Sequence, residues 1–128
     1  MKSNEELLAI AKQASQKAYC PYSKFPVGAC IEYESGNCYN GCNVENSSYG
    51  LSLCAERNTM SSAIAQGENS RILKIAIYSP KSVKCFPCGA CRQVIAEFAE
   101  SDTVVLQKIG EEIRPYTINE LLPETFVL

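Results

Sequence analysis

The chain has 128 residues, 8 Cys, no His and no Trp. That is one domain's length, and such a chain buries roughly two-thirds of the surface its unfolded form exposes, so a core forms without disulfide staples. With no His there is no Ser-His-Asp triad, Cys-His dyad, HExxH zinc site or haem His; proton transfer falls to carboxylates, Lys, Tyr, Cys or metal-bound water, and a transition-metal site must be built mainly from Cys. Lys and Arg total 12 against 14 Asp and Glu, a formal charge of −2 with no basic run, which argues against a nucleic-acid partner.

Hydrophobic residues at 46% and charged residues at 20% are ordinary for a globular domain. Apolar stretches fall far short of the ~20 residues that span a bilayer, so no membrane partner is expected. Residues 1–16 are interrupted by Lys2, Glu5, Glu6, Lys12 and Gln13 and hold no apolar signal-peptide segment. The expectation is a cytoplasmic chain whose cysteines are free thiols plus a metal or redox group, with a disulfide scaffold as the alternative.

Ser3 to Tyr19 reads as a helix opened by a Ser3–Glu6 capping box, with Leu7, Ile10, Ala11, Ala14 and Ala18 as its apolar stripe and Cys20-Pro21 as its stop. Val27 to Tyr33 alternates as a strand, Ser35-Gly36-Asn37 is a turn, and Cys38 to Val44 is the return strand of a hairpin. Cys54 to Gln66 is a helix closed by Gly67. Arg71 to Ser79 is a β-rich run, and Cys88 to Ala99 a second central helix entered through Pro87. Thr103 to Gln107 is a short strand that Ile113 to Tyr116 can pair with across Gly110. Thr117 and Glu120 form another capping box, opening a short helix that Pro123 ends. No repeat or linker divides the chain, so residues 1–128 are expected to be a single α/β domain. Two hairpins and the strand–helix–strand connections predict a mixed five-stranded sheet with helices on both faces, a three-layer α/β/α sandwich.

Three cysteines stand out by position. Cys54 opens one central helix, and Cys88 and Cys91 open the next with the spacing that shares a helix face. Helix N-termini stabilise thiolates, so two converging helices could present three of them to one Zn²⁺. Three protein ligands leave a fourth position open, the arrangement of a catalytic zinc. Glu56 lies two residues after Cys54, a spacing that in mid-helix points to nearly opposite sides. Both reach one cavity only if the helix begins at about Cys54; Glu56 could then act as general acid and base. Taken singly the features are ordinary: a helical Cys is usually a small hydrophobe, a Cys-x-x-Cys can be a redox pair, and a helical Glu usually faces solvent. Their conjunction is specific.

Cys54-Ala55-Glu56 followed by Pro87-Cys88-Gly89-Ala90-Cys91 resembles the signature of the zinc nucleoside and nucleobase deaminases. Phe25-Pro26-Val27-Gly28-Ala29, Gly41-Cys42-Asn43-Val44-Glu45-Asn46, Cys54 to Arg57, Pro87 to Val94 and Leu121-Leu122-Pro123 are similar to the short-chain cytidine deaminases in particular, over about residues 25–126. The resemblance implies a cytidine deaminase-like fold and one Zn²⁺ per chain on Cys54, Cys88 and Cys91. It implies a zinc-activated water that attacks C4 of cytidine or 2′-deoxycytidine, while Glu56 carries a proton to N3 and then to the leaving amine. It further implies that the Ala55 N–H holds the base carbonyl, that Asn43 and Glu45 bind the ribose 3′-hydroxyl, and that Phe25 packs on the pyrimidine. A homotetramer with shared sites is implied as well, with Tyr49 and Phe126 reaching a neighbour's site.

Phe86 departs from the small polar residue that relatives often carry before Pro-Cys. Cys85 with Cys88 forms a second, overlapping Cys-x-x-Cys, so a closed structural zinc on Cys54, Cys85, Cys88 and Cys91 is the main rival, and a metal-free dithiol a third reading. Among enzymes, an aminonucleoside-antibiotic deaminase shares the zinc signature, but the Asn43 to Asn46 run favours a nucleoside sugar; a polynucleotide-editing deaminase would want a basic surface. Three thiolates outweigh the charge of one divalent ion and should make a bound water a weaker acid, which gives Arg57 a reason to donate to them from outside the metal's own ligands. Arg57→Ala is expected to keep the fold and move the pH–rate profile to more alkaline pH; an unchanged profile in a fully metallated variant contradicts that role.

Overall fold

In the computed structural model, which describes residues 1–128, the chain runs α1 (Asn4–Ser15), β1 (Gly28–Tyr33), β2 (Cys38–Cys42), α2 (Ala55–Ala65), β3 (Ile72–Tyr78), α3 (Gly89–Phe98), β4 (Ala99–Ile109), β5 (Glu112–Thr117) and α4 (Ile118–Leu121). The strands form one mixed sheet in the order β2-β1-β3-β4-β5. β1 pairs antiparallel with both β2 and β3, β3 pairs parallel with β4, and β4 pairs antiparallel with β5. No helix is long and apolar enough to cross a membrane.

Side chains alternate across the sheet and so divide the core in two. Cys30, Ala76 and Leu106 pack with Leu7, Leu8 and Ala11 of α1 on one face. Ile31, Tyr33, Ile75, Ile77 and Val105 pack on the other with Met60 and Ala63 of α2, Ile95 of α3, and Ile118 and Leu121 of α4. The expected three layers are therefore present. Two glycines let the helices approach: a Cβ at Gly28 would lie 1.9 Å from the Ala11 carbonyl oxygen of α1, and one at Gly41 would lie 2.5 Å from Thr59 Oγ1 of α2.

Both capping boxes form, at Ser3/Glu6 and at Thr117/Glu120. The first helix stops at Ser15 rather than Tyr19, because the Tyr19 backbone bonds elsewhere. Its N–H donates to the Asn43 carbonyl at 3.0 Å, and its carbonyl accepts from the Glu45 N–H at 2.8 Å. The return strand of the first hairpin ends at Cys42; Val44 makes isolated bridges to Tyr19 and Leu53 instead. β4 starts at Ala99, earlier than the expected Thr103, because Ala99 pairs with Ile72 across an irregular register. The strands flanking α2 are not neighbours, since β1 lies between β2 and β3.

Glu68 ties the connection after α2 to the β1–β2 hairpin. Its carboxylate accepts from the Ser70 hydroxyl at 2.7 Å, the Ser35 hydroxyl at 2.8 Å, the Asn37 amide at 3.2 Å and the Tyr39 hydroxyl at 3.3 Å. The Ser70 hydroxyl first, then the backbone of Ser70 and the Ser35 and Asn37 side chains, hold its pKa at about 2 against an ordinary 4.5. A depressed carboxylate stabilises the fold fully above its unfolded pKa and loses that contribution as pH falls through the folded one. The difference in melting temperature between wild type and Glu68→Gln should therefore be constant above about pH 4.5 and shrink towards about pH 2. A difference independent of pH over that window would contradict it.

Candidate metal centre and catalytic cavity

β2 and β3 each run antiparallel to β1 and so share a direction. The helices that follow them, α2 and α3, consequently start at the same edge of the sheet, where open α/β folds gather their ligands. β1 runs the other way, so the segment leading into it, residues 25–28, reaches that edge too.

Cys54 is the N-cap of α2 and Cys88 the N-cap of α3, and neither side chain makes the usual capping hydrogen bond. Cys91 is buried in the first turn of α3. The three Sγ atoms lie within 4.8 Å of one another, the one group of metal-ligating side chains in the chain that is gathered this closely. Cys54 Sγ and Cys88 Sγ are 3.7 Å apart. Thiolates around a tetrahedral zinc with Zn–S bonds of about 2.3 Å lie roughly 3.8 Å apart, so both donor chemistry and spacing fit zinc. The neighbouring Cys91 thiol, with help from Arg57 and Cys88, brings the Cys54 thiol down to about 5. Cys91 is pushed the other way by its shared hydrogen bond with Cys54 and by burial. Arg57 Nη2 donates to Cys54 Sγ at 3.6 Å. Cys85 stands outside the trio, and burial, with the charges of Glu56 and Cys54 adding, pushes its thiol up to about 11. A closed four-thiolate site is thus not what the fold builds.

Glu56 is 4% exposed and lines the same cavity as Cys54 and Cys88. It reaches them because Cys54 is the cap and Ala55 the first helical residue, so the mid-helix rule does not apply. Burial, with the Cys54 charge adding and its own backbone N–H opposing, pushes the Glu56 carboxyl up to about 7. It can hold or release a proton near neutrality.

The cavity has a volume of about 310 Å³ and includes Phe25, Asn43, Glu45 and Ala55 in its walls. Asn43 bridges the strand entry: its Oδ1 accepts from the Val27 N–H at 2.8 Å and its Nδ2 donates to the Phe25 carbonyl at 2.9 Å. One amide hydrogen stays free for a ligand. Glu45 Oε1 accepts from the Tyr22 and Ser23 N–H groups at 3.0 and 3.2 Å, which leaves Oε2 free. Ala55, as the first residue of α2, has an N–H with no helical acceptor. Tyr49 is not in this cavity. It lines an adjoining hollow of about 290 Å³ that shares Ser23, Glu45 and Ser52 with it. Phe126 lies away from the chain's own cavity, against α3, where its carbonyl accepts from Gln93 Nε2 at 3.2 Å.

Sequence reasoning did not single out Leu53 and Ser52, which complete the wall, or assign a role to Arg92. Arg92 Nε donates to the Pro87 carbonyl and Nη1 to the Leu121 carbonyl, both at 2.8 Å, and so fixes the segment that delivers Cys88. The contact to Leu121 spans 29 residues and leaves no local pattern. Cys85→Ser should retain one zinc per chain by metal analysis, whereas Cys88→Ser should lose it on dialysis. Loss of metal from Cys85→Ser would contradict the three-thiol site.

The family model for the cytidine and deoxycytidylate deaminase zinc-binding region matches residues 1–107. The cytidine deaminase of Sporosarcina psychrophila is 45% identical over 123 residues, covering 95% of this chain and 90% of that protein. The cytidine deaminase of Mycobacterium tuberculosis is 41% identical over 118 residues, covering 92% and 85%. Among solved structures, the cytidine deaminase of Burkholderia pseudomallei superposes with a TM-score of 0.91 at 39% identity, over 98% of this chain and 100% of that one. That of Mycobacterium tuberculosis superposes with a TM-score of 0.89 at 38% identity over 100% of both chains. With a thiol trio suited to zinc and a fold shared along nearly its whole length, the chain belongs to the cytidine and deoxycytidylate deaminase zinc-binding family.

Proposed function

We propose that the protein, as one domain, is a zinc-dependent cytidine deaminase. It hydrolyses the C4 amino group of cytidine and 2′-deoxycytidine to give uridine or 2′-deoxyuridine and ammonia, a pyrimidine-salvage reaction. The observation that carries this reading is the buried Glu56 carboxyl beside three converged thiols on one cavity of about 310 Å³.

Cys54, Cys88 and Cys91 would hold a zinc ion, which would supply the Lewis acidity that makes water a nucleophile at neutral pH. Glu56, buried in the same cavity, is the group that would take up a proton there and return it to N3 of the ring and to the leaving amine. The Ala55 N–H donates to the base carbonyl. The free Asn43 N–H and Glu45 Oε2 take the ribose 3′-hydroxyl, and Phe25 packs on the pyrimidine face. Arg57, donating to Cys54, offsets the excess negative charge of three thiolates.

The charged side chains lining the cavity are Glu45 and Glu56, both acidic, and no Lys or Arg lines it or the adjoining hollow. These two carboxylates would repel a phosphate, which favours a free nucleoside over a nucleotide as substrate. Tyr19, Tyr22, Val44, Tyr49, Leu51 and Leu53 are exposed close together in the chain's fold, and Phe126, Val127 and Leu128 are exposed at its end. Apolar exposure on that scale favours self-association, and the family resemblance makes the assembly a homotetramer whose sites are completed by Tyr49 and Phe126 of neighbouring subunits. All eight cysteines stand free of disulfides, which suits a cytoplasmic location.

Ammonia release and loss of cytosine absorbance test the reading directly. The purified protein should turn over cytidine and deoxycytidine, with kcat/KM for deoxycytidylate lower by about 10²-fold, as repulsion from Glu45 and Glu56 would produce. Glu56→Gln should retain zinc and lose about 10²- to 10⁴-fold in kcat. Preference for the nucleotide, or full activity of metallated Glu56→Gln, would overturn the reading.

A further inference from the structure

Lys24 has φ 58°, the one residue other than glycine in the left-handed region. The glycines with positive φ, Gly36, Gly67 and Gly110, sit at open turns where a Cβ would meet nothing within 4 Å. A residue with a Cβ adopts this backbone at a cost, so its retention points to a constraint from its surroundings. Those surroundings are the sugar and base side of the cavity. The Lys24 N–H donates to the Cys20 carbonyl at 3.0 Å and closes the turn. Immediately before it, the Tyr22 and Ser23 N–H groups converge on Glu45 Oε1 at 3.0 and 3.2 Å. Immediately after it, the Phe25 N–H donates to Ser23 Oγ at 3.0 Å, and the Phe25 carbonyl accepts from Asn43 at 2.9 Å.

We infer that Lys24 is a positioning residue for the nucleoside: its left-handed backbone, and not its charge, reverses the chain so that Glu45 and Phe25 are both aimed into the cavity. This inference rests on the function proposed above. The exposed Lys24 ammonium is the weakest of the influences that lower the Glu45 pKa, behind the Ser23 side chain and the Ser23 and Tyr22 backbone. Extended or right-handed backbone at this position would carry the two amides away from Oε1 and free a carboxylate that is now held in one orientation.

Four variants separate conformation from charge. Lys24→Val and Lys24→Thr are β-branched and resist positive φ; Lys24→Gly accepts it readily; Lys24→Gln removes the charge and keeps an unbranched side chain. Each is assayed for cytidine kcat and KM, for uridine Kd by calorimetry, and for zinc content. Contacts that hold substrate and transition state equally appear in KM alone. Lys24→Val and Lys24→Thr should raise KM and the uridine Kd about tenfold, with kcat and zinc unchanged. Lys24→Gly and Lys24→Gln should stay within about twofold of wild type on both. The threonine variant decides the matter if the valine variant does not fold. Equal rises in all four variants would assign the effect to charge and overturn the inference, as would β-branched variants that match wild type or lose kcat and zinc together. Wild type that releases no ammonia from cytidine would overturn the proposed function, and this inference with it; wild-type turnover with an unresponsive Lys24 overturns the inference alone.

Discussion

Helix N-termini carry backbone N–H groups that no residue of the helix can satisfy, and with them a partial positive charge. In this fold two such termini meet at one edge of the sheet, and the capping position of each is a cysteine that makes no capping hydrogen bond. Three thiols within 4.8 Å would be an awkward grouping in most settings, because each thiolate raises the cost of the next. Here the termini of α2 and α3, the Arg57 guanidinium and a bound zinc act in the same direction, and the grouping becomes a site. The hydrogen bond they share depresses the Cys54 thiol and elevates the Cys91 thiol, and a metal ion bound there would displace the proton that Cys91 keeps.

Strand direction accounts for the rest of the arrangement. Because β1 opposes both of its neighbours, the segment that enters it faces the two helix starts across a narrow cavity. Asn43 and Glu45, on the connection out of β2, tie that segment down with one side of each side chain and leave the other side free. On the proposed function, support and recognition share these residues, which makes the substrate side of the site sensitive to backbone geometry as well as to side-chain identity. The same edge brings Glu56 under cover, where burial sets its proton affinity near neutrality without help from an imidazole.

Much of this was legible before the fold was known, wherever the signal is local. Ser3 with Glu6 and Thr117 with Glu120 announce helix starts through their own hydrogen bonds, and both boxes form. Cys54 and Pro87-Cys88 read as helix openings, and the structure makes both cysteines N-caps; that placement is what lets a Cys-x-Glu pair face one cavity. The absence of His, a fact of composition, already meant that any transition-metal site must be built mainly from Cys. What could not be read depends on partners distant in the chain. The end of α1 is set by the pairing of Tyr19 with Asn43 and Glu45, which propensity does not register. The early start of β4 follows from pairing with Ile72. Arg92 holds Pro87 and Leu121 together through contacts without any sequence period. Lys24 carries the least local signal, since nothing in its identity suggests positive φ. Phe126 and Tyr49 lie outside the cavity that Cys54 and Glu56 line, and nothing in their local sequence marks that placement.

The central claim is that this edge holds a metal with three protein thiolates and one position left open for chemistry. X-ray absorption at the zinc edge of the purified protein tests it most directly, because it counts scatterers by element without relying on turnover. The account predicts three sulfurs at about 2.3 Å and one lighter oxygen or nitrogen scatterer at about 2.0–2.2 Å, with the lighter one perturbed when uridine is added. Four sulfurs, unchanged by a nucleoside, would mark a closed structural centre and contradict it.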